Sequence, residues 1–492
     1  MQKFLHSVLG FVLATLSLSC APSYREGLPL QSPFVESVSV KADLLPQGFA
    51  VGDVTARGAL VWVRTEGPAT VQIEWAPPSV WETASKMAAA VAPVVRTPRL
   101  VTSADSDFTA AIPLQGLMPG TRYRYHVLVG PAAGSQDGME PVLAARGELT
   151  TLPDEKTSAP VTFAWSGDLG GQQRCRVGSD GYPIFNQMRR QGLDFFLFLG
   201  DTIYSDFTCP SPPNEPGADF IATTLAEYRV RHRYQRGALA LRRFLETVPV
   251  YVVWDDHEVK NDFSGPFEAQ MPDGRQALRE YWPIASPPDD PQRLYRTVRY
   301  GADLELFILD GRQYRSKNTD PDGPDKTMLG ERQLQWLLEG LRRSTATWKV
   351  IATSVPLSIP KGKGTTGKGF DGWAGGSDGT GFERERQVIV DTILDQRIRN
   401  VIFLAGDVHY VQANVYDPNG DGVPDFHEFV AGPLSAVPGR MTLPNPTLKP
   451  TNLIHESGYY NFGMVRVTPS FFDVTVVDDA GKVRFSHRVS AK

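Results

Sequence analysis

Residues 252–258 read VVWDDHE, an apolar run that stops at Asp255, Asp256, His257 and Glu258. Seating so many ionisable groups at the end of such a run costs free energy unless they are paired or hold a cation. Three further apolar runs also stop at an aspartate: FAWSGD at Asp168, FLFLGD at Asp201, and FLAGDVH at Asp407 and His409. Runs of this kind are strands, and in open α/β sheets the carboxyl ends of strands bring together side chains from distant parts of the chain. Acids gathered at one edge repel, which opposes their ionisation unless cations sit among them. The pattern therefore predicts one shared metal site.

The elements that must carry these residues fit a chain of 492 residues with 41% hydrophobic content, enough for a large core and two or more domains. A net charge of -5, with Lys and Arg dispersed, offers no nucleic-acid-binding surface, so any preference for phosphate is local. The first 20 residues carry Lys3, an apolar stretch from Phe4 to Leu18 and small residues before Cys20, which reads as an export signal. Cleavage there or lipid modification of Cys20 are both open, since Leu18 sits one position nearer the cysteine than the usual lipoprotein signal places its leucine. The expected location is periplasmic, extracellular or lipid-anchored at the cell envelope, with membrane contact only through Cys20. An oxidising compartment allows Cys175 and Cys209, each just after an acid-tipped strand, to form a disulfide; free thiols and metal ligation by Cys175 are the alternatives.

Residues 21–45 are rich in Pro and Ser and read as a tether. From 46 to 152, short alternating runs such as ALVWVRT and RYRYHVLV are separated by Gly and Pro, the pattern of a β-sandwich. Within it, GLMPGTRYRYHV at 116–127 resembles the tyrosine corner of fibronectin III-like domains, in which Tyr123 or Tyr125 pins the strand to the preceding turn. After the linker PDEKTSAP at 153–160, strands alternate with helical patterns from 161 to 492, as in an α/β catalytic domain. Leu334, Leu337, Leu338 and Leu341 recur at helical spacing and belong to its core. The basic segment 225–248 reads as a helical, solvated face, with no functional role for His232.

The motifs GDLG (167–170), GDTIY (200–204), WDDHE (254–258) and GDVH (406–409) together resemble the calcineurin-like metallophosphoesterases. DGRQYR (310–315), MLGERQLQWL (328–337), FDGW (370–373) and EFVAGPLSA (428–436) narrow the resemblance to the alkaline phosphatase D, or PhoD-like, family. It implies a fibronectin III-like β-sandwich followed by a four-layer α-β-β-α catalytic domain. It also implies that Asp168, Asp201, Tyr204 and His409 hold one metal, and that Asp201 bridges to a second held by Asp256 and Asp407. A phenolate among carboxylates suits Fe(3+). The second site, with Asp256, Ser354 and Asp407 where many relatives place asparagine and histidines, favours Ca(2+), with Mg(2+) or Mn(2+) as alternatives. Some members begin the first motif with a cysteine, whereas this chain has Asp168.

Two metals about 3.5–4 Å apart can activate a hydroxide and stabilise both attacking and leaving oxygens of an in-line displacement at phosphorus. By resemblance His257 donates a proton to the leaving alcohol, with Glu258 orienting it. Asp255 points away from Asp256 if both remain in strand, and so has a supporting role. Arg312 and Arg315 either contact phosphate or brace a loop, and Asn261 is a further candidate for substrate contact. The expected function is an exported metal-dependent phosphoric ester hydrolase, an alkaline phosphatase or phosphodiesterase acting on phosphate esters. The competing expectation is a calcium-stabilised surface binding protein whose hydrolase site is inactive.

Two other segments carry weaker signals. GKGTTGK at 362–368 nearly spells a phosphate-binding loop but continues with Gly369 where Ser or Thr is needed, so a loop whose Lys361, Lys363 or Lys368 attracts anions fits better. DPNGDGVPDFHE at 417–428 matches the EF-hand template at Asp417, Asn419, Asp421, Asp425 and Glu428, but strand-like flanks and Pro424 make it a hairpin tip that either holds structural calcium or is a plain acidic turn.

Overall fold

The computed structural model describes residues 38–84, 94–132, 140–362, 369–376 and 379–492. The export signal, Cys20, the tether as far as residue 37, and Lys363 and Lys368 lie outside the described residues. Among the described residues, no helix is long and apolar enough to cross a membrane.

Two sheets build the region from residue 161 onward. In the first, the strands Val161–Ser166, Phe195–Leu199 and Val250–Val253 run parallel, so their carboxyl ends share one edge. In the second, Leu304–Ile308, Trp348–Ala352, Val401–Ala405 and Phe426–Val430 are likewise parallel neighbours. Side-chain alternation along these strands sets the layering. Leu304, Leu306, Ile308, Val350, Ile402 and Leu404 join Phe163, Trp165 and Leu197 in one core between the sheets. The intervening Phe307, Leu309, Ile351 and Phe403 pack outward on Leu337 and Leu341 of the helix Glu331–Arg343 and on Ile389 and Ile393 of the helix Glu383–Asp395. On the far side of the first sheet, Phe196 meets Phe244 of the helix Leu239–Leu245, which in turn meets Phe185 of the helix Ile184–Arg189. Helices thus cover both outer faces. Trp165 ties the sheets together, its indole N–H donating to the Ala405 carbonyl at 3.1 Å.

The N-terminal strands do not close on themselves. Val38–Ser39, Ala69–Ala76, Arg122–Pro131 and Val142–Thr150 belong to a separate six-stranded sheet. Phe49–Gly52, Gly58–Arg64 and Thr109–Gln115 instead extend the first catalytic sheet to nine strands, through a short parallel pairing of Gly52 with Val250. The self-contained sandwich expected from alternation alone is therefore replaced by one sheet of its own and one shared, because the edge at Val250–Val253 offers backbone groups that the strand at Phe49 satisfies. The tyrosine corner is formed by Tyr123, whose hydroxyl accepts the Met118 N–H at 2.9 Å, while Tyr125 packs edge-on against Phe49 in the core.

The basic segment departs from the solvated face expected of it. The helix Leu225–Arg236 begins at a Thr224–Glu227 capping box and buries Arg231, His232, Gln235 and Arg236. Arg236 lies between the rings of Trp62 and Trp282, 4.0 and 4.4 Å from their centroids, so guanidiniums stacked on indoles carry these charges inward.

Candidate metal centre

Three of the four acid-tipped strands turn sharply just past their ends. Asp168, Asp201, Asp407 and His409 all adopt positive φ, at 64°, 53°, 69° and 58°, a conformation that non-glycine residues rarely hold without cause. The glycine before Asp201 permits close approach: a Cβ on Gly200 would lie 2.4 Å from the Cβ of Asp255. Gly171 makes room for Tyr204, because a Cβ there would sit 2.0 Å from its ring.

These turns bring the predicted ligands together. Asp168, Asp201 and His409 offer donor atoms within 4.8 Å of one another, as do Asp201, Asp256 and His257, and also Asp255, Asp256 and Asp407. Asp201 is common to the first two groups and Asp256 to the last two. The Tyr204 hydroxyl lies 2.8 Å from His409 Nε2, and His409 Nδ1 donates to the Val437 carbonyl at 2.7 Å, leaving Nε2 to face the centre. Burial, then the nearby Lys361 ammonium, lowers the His409 pKa to about 3, so its imidazole is neutral and able to ligate.

The donor set fits divalent or trivalent cations. Asp168 Oδ2, Asp255 Oδ2, Asp256 Oδ1 and Asp407 Oδ2 are buried without a hydrogen-bond donor. Burial raises the Asp168 pKa to about 8 and pushes Asp201 and Asp407 well above the usual range, aided for Asp201 by Asp256 and Asp255. Asp256 is the exception. Burial opposes its ionisation, but His257 and Arg312 outweigh it and hold the carboxyl at about 2. Lys361, 2.7 Å from Asp407 Oδ1, is the cation nearest that acid. Buried carboxylates that outnumber their cations are the electrostatic signature of a metal centre.

His257 lies beside this cluster. Its Nδ1 is 2.7 Å from Asp206 Oδ1, its Nε2 is 3.9 Å from Asp256 Oδ1, and its ring stacks on Tyr204 at 4.1 Å. Burial alone would lower its pKa, yet Asp256 and Asp206 raise it to about 9, so the ring carries a proton at neutral pH. The orienting carboxylate is Asp206 rather than the expected Glu258. Glu258 faces the opposite way, accepting the Thr202 N–H at 2.6 Å and the Asp255 N–H at 3.0 Å, and so braces the turns.

Packing decides one open alternative and corrects two other expectations. Arg312 and Arg315 are fully buried and braced rather than open to phosphate: Arg312 donates to both oxygens of Asp371 at 2.7 and 2.6 Å and to Asp255 at 2.8 Å, and Arg315 donates to Asp371 at 2.8 Å. Asp255 does not point away, because the strand ends at Val253 and alternation lapses before it. Glu428 is no part of the acidic turn. It lies buried in the strand Phe426–Val430, accepting from Tyr416, Asn414 and the Leu357 N–H. The turn itself is held by its own backbone, with Asp417 accepting from the N–H groups of Gly420, Asp421 and Gly422, Asn419 from Asp421, and Asp421 from Val423. Asn419 Nδ2 donates to Asp425. Asn261 is exposed, and its N–H donates to Asp206. Cys175 and Cys209 are bonded, with Cα atoms 5.8 Å apart.

With this geometry established, comparison with known proteins is decisive. A family profile described as PhoD-like phosphatase matches residues 164–470, and that of the PhoD-like phosphatase N-terminal domain matches 32–153. The chain belongs to the PhoD-like phosphatase family. It is 30% identical over 333 residues to alkaline phosphatase D of Bacillus subtilis (strain 168), a match covering 60% of this chain and 52% of the relative; the chain thus spans about half the length of that protein. A solved structure of PhoD shares the fold, with a TM-score of 0.69 and 22% identity over 92% of this chain and 93% of the other. So does purple acid phosphatase PPD1 from yellow lupin (Lupinus luteus) seeds, with a TM-score of 0.60 and 13% identity over 91% and 75%.

Proposed function

We propose that this chain is an exported, metal-dependent phosphoric ester hydrolase acting on phosphate monoesters or diesters. The observation that carries the reading is the convergence of four strand ends on Asp168, Asp201, Asp256, Asp407 and His409, with carboxylate oxygens that lack donors. Asp168, Asp201, Tyr204 and His409 would hold one ion, and Asp201, Asp256 and Asp407, with Asp255 beside them, a second. Phenolate and carboxylate donors favour Fe(3+) at the first position, and the all-oxygen set favours Ca(2+), or Mg(2+) or Mn(2+), at the second. When bound, the ions supply Lewis acidity toward phosphoryl oxygens and lower the pKa of water.

The chain's own residues do the rest. A cavity of about 290 Å³ opens beside Asp407 and His409, lined also by Lys361, Tyr410, Pro438 and the exposed Arg440. The Lys361 and Arg440 charges draw an anionic ester toward the acids, offsetting the repulsion that a carboxylate-rich floor would otherwise exert. His257, protonated and held by Asp206, gives its proton to the departing alkoxide. The direct test is hydrolysis of p-nitrophenyl phosphate and bis(p-nitrophenyl) phosphate by metal-replete protein. Turnover of either ester, abolished in D201N, is expected. No turnover of either with both metals bound would leave the surface-binding alternative.

A further inference from the structure

The helix Met271–Tyr281 carries Arg275 and Arg279 one turn apart. Among the described residues, neither guanidinium has a carboxylate partner. Arg275 Nη1 donates to Gln313 Oε1 at 2.7 Å, and Arg279 Nη2 donates to the Ala285 carbonyl at 3.2 Å and to the Ser286 hydroxyl. Arg275 Nε and Arg279 Nη1 are buried with no acceptor at all. Both residues are half-buried and like charges at this spacing repel, so an anion between them would offset a standing cost.

Both side chains line a cavity of about 440 Å³ between this helix and the N-terminal strand Thr109–Gln115, with Ser106, Gln276 and Ser286 also on its wall. Glu280 lines it too, but its carboxylate is already held by Arg229, at 2.7 Å to each oxygen, and by Gln276 at 2.9 Å. Burial, then Arg296, lowers the Arg279 pKa, with Arg275 adding to this and Asp53 and Asp290 opposing it. Two guanidinium forks with hydroxyl and amide donors beside them match a tetrahedral oxyanion better than a spherical ion.

We infer that the cavity between the helix Met271–Tyr281 and the strand Thr109–Gln115 binds a phosphate- or sulfate-like oxyanion through Arg275 and Arg279, separately from the metal centre.

Selenate, an isostere with an anomalous signal, is the probe. Crystals of the whole protein grown without phosphate or sulfate and soaked in sodium selenate are expected to show an anomalous peak between Arg275 and Arg279. Sulfate and phosphate should displace it, and chloride at equal ionic strength should not. Calorimetric titration with inorganic phosphate should show this site weakened by about tenfold or more in R279Q, and in R279K as well because the fork is lost, while turnover of p-nitrophenyl phosphate is unchanged. Absence of the peak in wild type, displacement by chloride, or unaltered phosphate binding in both variants would overturn the inference. The selenate peak and its displacement do not depend on whether the metal centre hydrolyses esters.

Discussion

At the scale of single residues, the pair His257–Asp206 carries the sharpest consequence. Under the proposed function His257 donates while protonated, so the rate should fall at alkaline pH as its proton is lost. Replacing Asp206 by Asn removes one of the two carboxylates that hold the proton, which lowers the pKa and moves the alkaline limb of the kcat/KM profile down by about 1–3 pH units. A limb that stays in place in D206N would show that His257 is not the titrating donor. His257→Asn should cost about 10²-fold or more in kcat for alkyl esters and less for nitrophenyl esters, whose leaving group needs little protonation. The aspartates of the proposed ligand set were legible in the sequence because each stands just past a strand-like run. Asp206 was not, because its role depends on a turn that folds it back under His257. The fate of Arg312 was hidden for a similar reason: its partner Asp371 lies 59 residues away in sequence.

At the scale of elements, the turns at Gly167–Asp168, Gly200–Asp201 and Gly406–Asp407 convert parallel strands into a cluster of acids. Their left-handed aspartates are held by what packs around them. Gly171→Ala would drive a methyl group into the Tyr204 ring, and loss of the tyrosine's position should lower metal content, read by elemental analysis, more than overall stability. The disulfide joins the loops that follow two of these strands. It closes a segment of 34 residues, and C175S/C209S should lose about 3–4 kcal/mol in denaturant unfolding by restoring loop entropy to the unfolded chain. An unchanged midpoint would mean that the loops are ordered without it. Alternation identified the individual strands well, and helical spacing the leucine stripe whose Leu337 and Leu341 are buried. It could not reveal that Phe49–Gly52 pairs with Val250–Val253, since strand pairing between distant segments leaves no local periodic trace.

At the scale of the whole molecule, two facing sheets concentrate buried acids at one edge, and the cost of doing so falls on the metal-free protein. Asp168, Asp201 and Asp407 have folded pKa values above the unfolded value near 3.8. Their contribution is therefore fully present below that value and is lost as pH rises, through about 8 in the case of Asp168. Asp256, held at about 2, titrates below this window. Chelated protein should accordingly show a Tm that falls between pH 4 and 8, and metal-loaded protein should not, because bound cations replace the protons. The central claim is that Asp201 joins two ions in one hydrolytic centre. Its most direct test is elemental analysis of purified wild type and D201N, run with their visible spectra and ester turnover. Wild type is expected to hold iron and a second metal, to show a tyrosinate charge-transfer band and to hydrolyse ester, with all three diminished together in D201N. Full turnover in rigorously metal-free wild type, or a D201N variant that keeps both metals and its activity, would contradict it.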